Sequence, residues 1–315
     1  MKIIITFLSI ISTLVLRAQT EQIKFMAPKL YPEGVAIDEK QNVFYVSSVT
    51  TGTIGKVDMN GKYNVFYTDT SLKSSFGMKV NNKQNRLWVC ISDPNHSKYS
   101  TPQTFKKMAR IIALDLSSGK KIADIDLSAI TEGKHFANDL AFDDNDNIYI
   151  TDSYSPCIYK ITPAGVASVF ATSDMFKSID VGLNGIVYHP GGFLIVDHNT
   201  SGSLYKIDIK NPSGITKVEI KELLPGADGM LLDKRNNLTV IVNKGINRAY
   251  RYMSNDNWKS ATLVGSTSTL DRFNNPTTGF FKGSDTYLLN SKINELTDST
   301  KNPSKEFSVQ LAKFK

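Results

Sequence analysis

Four oxygen-bearing side chains, Glu33, Asn138, Asn184 and Asp228, occupy the same place in a recurring pattern, which Phe76 and Thr278 occupy in two further copies. The intervals between successive positions are 43, 62, 46, 44 and 50 residues. Two carboxylates and two amide carbonyls are hard donors of the kind that suit Ca²⁺, which takes about 6–8 oxygens at about 2.3–2.6 Å. Four protein ligands leave about two or three places for water or substrate, and two carboxylates balance the charge of a divalent ion. Any one of these residues alone reads as a turn residue. Four in one register argue for a shared site.

The elements that must position them are strands. After residue 20 the chain shows a period-two pattern broken by Asn, Asp and Gly, with little sign of long amphipathic helices. The clearest copies are YPEGVAIDEKQNVFYVSS from Tyr31, FANDLAFDDNDNIYITDS from Phe136, GLNGIVYHPGGFLIVDHN from Gly182 and GADGMLLDKRNNLTVIVN from Gly226. Weaker copies are SSFGMKVNNKQNRLWVCIS from Ser74 and PTTGFFKGSDTYLLNS from Pro276. Each runs from the variable residue through Gly or Asp into an apolar strand, a polar turn and a second apolar strand. The spacing is that of a four-stranded propeller blade. The expected fold is all-β: a six-bladed β-propeller with a central metal site. An insertion is expected in the second blade near PNHSKYSTPQTFKKMA, and ring closure by QIKFMA pairing with EFSVQLAKF. In such a ring the equivalent residues converge at one end of the axis.

The acidic run Asp143–Asn147 is a second candidate for calcium and fails. It falls where other copies carry DEKQN, HPGG and DKRNN, the hairpin turn. Ile148 stands in the glycine position of an EF-hand loop and Tyr154 where a bidentate Glu belongs.

Residues 1–20, with Lys2, an apolar run and an Ala18-Gln19 exit, read as a secretory signal peptide, leaving 21–315 as one propeller domain. A secreted or periplasmic protein with no membrane span follows. The formal net charge of +7 is scattered rather than clustered, which argues against a nucleic-acid surface. Cys90 and Cys157 are too few for a disulfide framework and read as buried thiols. There is no G-x-S-x-G elbow and no H-E-x-x-H helix. His198, following a second strand, is placed on the channel rim as a substrate contact or proton carrier.

At PEGVAID, ANDLAFD, LNGIVYHPGG and ADGMLLD the chain resembles the senescence marker protein/gluconolactonase (regucalcin-like) family of six-bladed propellers, with diisopropyl fluorophosphatase and the paraoxonases as more distant relatives. The resemblance implies that Glu33, Asn138, Asn184 and Asp228 bind a catalytic divalent ion and that Asp228 is general base or nucleophile. Sugar-lactone hydrolases of that family commonly carry Arg where this chain has Phe136. Phe136 and Phe76, with Thr278, would make a more apolar substrate pocket. The expected activity is calcium-dependent hydrolysis of a small lactone or ester with an apolar portion. The alternative is a non-catalytic, calcium-stabilised propeller that binds a ligand or protein; a strictosidine synthase-like condensation enzyme is a weaker third.

Overall fold

The computed structural model describes residues 21–315, and the expected leader, 1–20, lies outside the described residues. Strand β1 (Gln22–Met26) is followed by β2–β5 (Val35–Asp38, Val43–Val46, Ile54–Asp58, Tyr63–Tyr67) and β6–β9 (Ser74–Asn81, Arg86–Ser92, Lys107–Asp115, Lys121–Asp126). Next come β10–β13 (His135–Phe142, Ile148–Asp152, Cys157–Ile161, Ala167–Thr172) and β14–β17 (Leu183–His189, Phe193–His198, Ser203–Asp208, Asn211–Val218). The last are β18–β21 (Ala227–Leu232, Leu238–Val242, Arg248–Met253, Thr262–Ser266) and β22–β24 (Pro276–Lys282, Asp285–Asn290, Glu306–Leu311). Among the described residues the only helical segments are short 3₁₀ turns.

The strands form four four-stranded antiparallel sheets and one eight-stranded sheet. The larger sheet joins β6–β9 to β10–β13 through a short parallel pairing, His135 opposite Lys107 and Phe136 opposite Met108. Residues 93–106, between β7 and β8, form the long connection expected in the second repeat. The N-terminal strand β1 completes the last sheet by pairing with β24, from Gln22↔Gln310 to Met26↔Glu306.

Burial falls outward along each sheet. Strands β11 and β19 are buried at every residue, whereas β9 is mostly exposed and β13 half exposed. That is why the second strand of each repeat reads as a continuous apolar run and the outer one is polar. The hairpin turns share one device. Asp38, Asn81, Asp143 and Asp233 each accept, at Oδ1, backbone N–H groups two and three or four residues on. Asn42, Asn85, Asp146 and Asn236 take the left-handed conformation that closes the turn. The acidic run is such a turn: Asp143 also accepts from Asn147 Nδ2 and Tyr149 Oη.

The first strands of the repeats, β2, β6, β10, β14, β18 and β22, stand side by side in chain order. The circuit closes where Thr277 Oγ1 donates to the Glu33 carbonyl at 2.7 Å.

Candidate metal centre and substrate cleft

Every site residue but Glu33 sits where its innermost strand departs from regular pairing. The register breaks between Ala137 and Leu140, between Leu183 and Ile186, and between Ala227 and Met230, bracketing Asn138, Asn184 and Asp228. Equivalent breaks bracket Phe76 and Thr278. A bulge bends its strand and re-aims a side chain, here toward the channel. Glu33 lies just before β2, where its N–H and that of Gly34 donate to Ser47 Oγ at 3.0 and 2.7 Å. The glycine that follows the site residue has a steric cause. A Cβ on Gly34 would lie 2.0 Å from the Phe76 carbonyl oxygen, and one on Gly185 2.3 Å from that of Asp228.

Glu33 Oε2, Asn138 Oδ1, Asn184 Oδ1 and Asp228 Oδ1 are all buried without a hydrogen-bond partner. The four residues are 8, 3, 5 and 7 % exposed and line one cleft of about 380 Å³. An unpaired buried polar atom costs about 1–3 kcal/mol, and few are found in folded proteins. Four at one place, every one an acceptor, make a donor set that fits a hard cation. The second polar atom is engaged in two of them: Asn138 Nδ2 donates to Ser153 Oγ at 2.9 Å, and Asn243 Nδ2 donates to Asp228 Oδ2. Among the described residues no group of three or more His, Cys, Asp or Glu is arranged to hold a metal, and the set here is half amide.

Charge points the same way. Asp139 and Asp197 are buried beside the four, each with one unpartnered oxygen, Oδ2. The ion pair recorded within this carboxylate group is Lys79 Nζ to Asp139 Oδ1, at 3.5 Å. Burial, then the charges of Asp228 and Asp139, hold the Glu33 carboxyl well above its usual range, with Lys79 opposing. Burial and then Asp228 do the same to Asp197. Asp228 is pushed up to about 7, by burial first, with the Asn243 amide working against the shift and the Asp139 charge adding to it. Four buried carboxylates facing one lysine form a site that attracts positive charge.

The cleft wall is aromatic. Phe76 and Phe136 meet edge to face with ring centroids 4.5 Å apart, and Tyr154 packs on Phe136 at 5.3 Å. His96, from the long β7–β8 connection, and Ile293–Thr297 complete the mouth. Burial pushes the His96 imidazole down, with Asp93 pulling it back. Thr278 is not among the cleft residues expected to meet substrate; it lines a small void that borders Glu33, Asn138 and Asn184, with Lys79 and Asp139. His198 is not among the cleft residues. It is buried at the end of β15, with Nε2 3.3 Å from the Lys177 carbonyl oxygen and Nδ1 accepting the Ser201 N–H. A larger cavity of about 800 Å³ lies beside the mouth and contains none of the four oxygens.

The fold is a β-propeller. No protein-family model matches the chain, and no curated protein sequence matches it. Solved structures do. The major Malassezia sympodialis allergen Mala s 1 superposes with a TM-score of 0.73 at 18% identity, covering 94% of this chain and 97% of that one. A luciferin-regenerating enzyme gives 0.63 at 15% identity over 93% and 95% of the two chains. A Xanthomonas campestris gluconolactonase gives 0.61 at 15% identity over 92% and 89%.

Three supporting residues escaped the sequence reading. Asp139 carried a signal, since it stands where all five other copies have Gly. Asn243, on the residue after β19, occupies the place from which Ser153 supports Asn138. Asp197 carries no such signal at the end of β15; its Oδ1 accepts the Gly185 N–H at 3.1 Å, but Oδ2 is left over.

Proposed function

We propose that this protein is a divalent-cation-dependent hydrolase of a lactone or ester with an apolar portion. Glu33, Asn138, Asn184 and Asp228 would hold Ca²⁺ or another divalent ion at the floor of the cleft. The observation that carries the reading is their four buried, unpartnered oxygens beneath an aromatic wall. Neighbours that include a gluconolactonase and a luciferin-regenerating enzyme support it at the level of fold. The reading takes the eight-stranded sheet as two blades, so that six surround the channel. Export through the leader is part of the same proposal.

When bound, the ion would polarise the carbonyl oxygen of the scissile ester. Phe76, Phe136 and Tyr154 hold the apolar part of the substrate and exclude bulk water. The Asp228 carboxylate takes a proton from the attacking water as the new C–O bond forms at the acyl carbon. As the old C–O bond breaks, that proton passes to the departing alkoxide, leaving the free acid and alcohol. The Asn243 amide holds Asp228 Oδ2, so Oδ1 faces the cleft.

The test is a screen of lactones, aryl esters and organophosphates, run after chelation and again with Ca²⁺, Mg²⁺, Mn²⁺ or Zn²⁺ restored. Turnover of an apolar ester or lactone that vanishes on chelation and returns with the ion is the expected result. Turnover indifferent to chelation would overturn the mechanism.

A further inference from the structure

The opposite end of the channel holds a second cavity, about 340 Å³, that the proposed hydrolysis does not use. Its wall comes from the same innermost strands, one to four residues beyond the site positions. Val35, Val80, Phe142, Val187, Leu231 and Phe280 are representative, and the lining is overwhelmingly aliphatic and aromatic. Its one charged residue is Lys79, which also borders the small void that Glu33, Asn138 and Asn184 line, and so stands at the floor of the funnel.

Lys79 is incompletely satisfied. Its ammonium is 3.5 Å from Asp139 Oδ1 and enters no hydrogen bond among the described residues, and its side chain is 26 % exposed. An ammonium has three donors, so at least two remain for a ligand. A ligand carboxylate would share this ammonium with Asp139, at 3.5 Å, and with the charge of Glu33, whereas Asp38, Asp143 and Asp233 are turned into their own hairpin turns. An apolar pocket of a few hundred Å³ with one convergent polar group is the usual form of a small-molecule site. An apolar wall with a cation at its base is complementary to a short aliphatic or aromatic chain ending in an anion.

We propose that the far end of the channel binds a compact apolar monocarboxylate, its carboxylate on Lys79 Nζ and its hydrocarbon part against the strand walls. The inference does not rest on the hydrolase reading. Calorimetric titration of the protein with hexanoate and with 1-hexanol tests it, in the presence of a chelator so that no ion at the mouth holds the acid. Hexanoate is expected to bind at least tenfold tighter than 1-hexanol. Lys79→Met should erase that difference. Val80→Phe narrows the funnel while keeping the lysine, and should weaken both ligands at least tenfold. Circular dichroism establishes that each variant is folded. Absence of hexanoate binding to the unaltered protein would overturn the proposal. Unchanged hexanoate affinity in either variant would do the same.

Discussion

The two ends of the channel are built on the same strands but leave different groups unpaired. At the mouth, bulges turn Asn138, Asn184 and Asp228 inward, and four oxygens lack donors. A few residues further on, regular pairing has resumed, the inward side chains are apolar, and the charge facing the cavity is the single ammonium of Lys79. A short break in pairing thus decides whether an inner strand contributes a ligand or a piece of core. The mouth holds unspent polarity, and the far end holds packing.

The largest effects should fall at the mouth, and they separate binding from chemistry. On the proposed mechanism Glu33→Gln removes a charge from the proposed ion site, so most of the activity should return at high Ca²⁺. Asp228→Asn keeps an oxygen but loses the base, so turnover should stay about 10²–10⁴-fold down at saturating ion. Equal rescue of both, in steady-state assays across a Ca²⁺ titration, would reduce Asp228 to a ligand.

At the far end the corresponding loss is in stability. Phe44 is fully buried and stacks on Phe280, with centroids 5.7 Å apart. Phe44→Ala should cost about 3–5 kcal/mol in urea denaturation while leaving cation affinity in the folded protein unchanged. A large change in that affinity would mean that the two ends are not separable.

A smaller effect sharpens the picture of the mouth. Phe136→Arg exchanges apolar surface for a donor, and should shift the ratio of kcat/KM values toward polar sugar lactones by about 10–200-fold. An unaltered ratio would place the substrate away from the Phe76–Phe136 pair.

The smallest concerns the ties behind the mouth. His135 Nδ1 faces Asp152 Oδ2 at 2.9 Å and Nε2 faces the Thr131 carbonyl oxygen at 3.0 Å, so both nitrogens meet acceptors, with Tyr159 and Ser155 alongside. The Asp152 bond raises the imidazolium pKa, burial opposes, and the Asp152 charge, Thr131 carbonyl and Asp126 add to it. A raised folded value gives stability that is present in full below the unfolded pKa of about 6.5 and is lost as pH rises through the folded one. The buried carboxylates Glu33, Asp197 and Asp228, also raised, slope in the same direction. The His135 share is therefore read as a difference. His135→Gln should flatten the fall in melting temperature above pH 6 relative to the unaltered protein, and parallel curves would remove His135 from the account.

Much of this was legible from residue order. Strand periodicity, the Asp and Asn turns, the closing strand QIKFMA and the common register of Glu33, Asn138, Asn184 and Asp228 are all one-dimensional information, because a repeat writes equivalent positions at regular intervals. Cys90 and Cys157 are buried free thiols, in keeping with their apolar strand contexts. His198 shows where such reading stops. Its position after a strand suggested the rim, but the ring is buried between the Lys177 carbonyl and the Ser201 N–H.

By itself, then, the sequence determined which side chains share a register and which strands alternate, since both follow from the local geometry of a repeated β-unit. Only the tertiary structure decided which oxygens are left without partners, that Asp139 and Asp197 join them, and that Lys79 alone opposes their charge. Those properties depend on groups from different sheets meeting around a common axis. It also decided that His96 and Ile293–Thr297 frame the mouth, because loops converge there without repeating any sequence pattern. Pairing and burial are relations between distant segments, and no single stretch of chain records them.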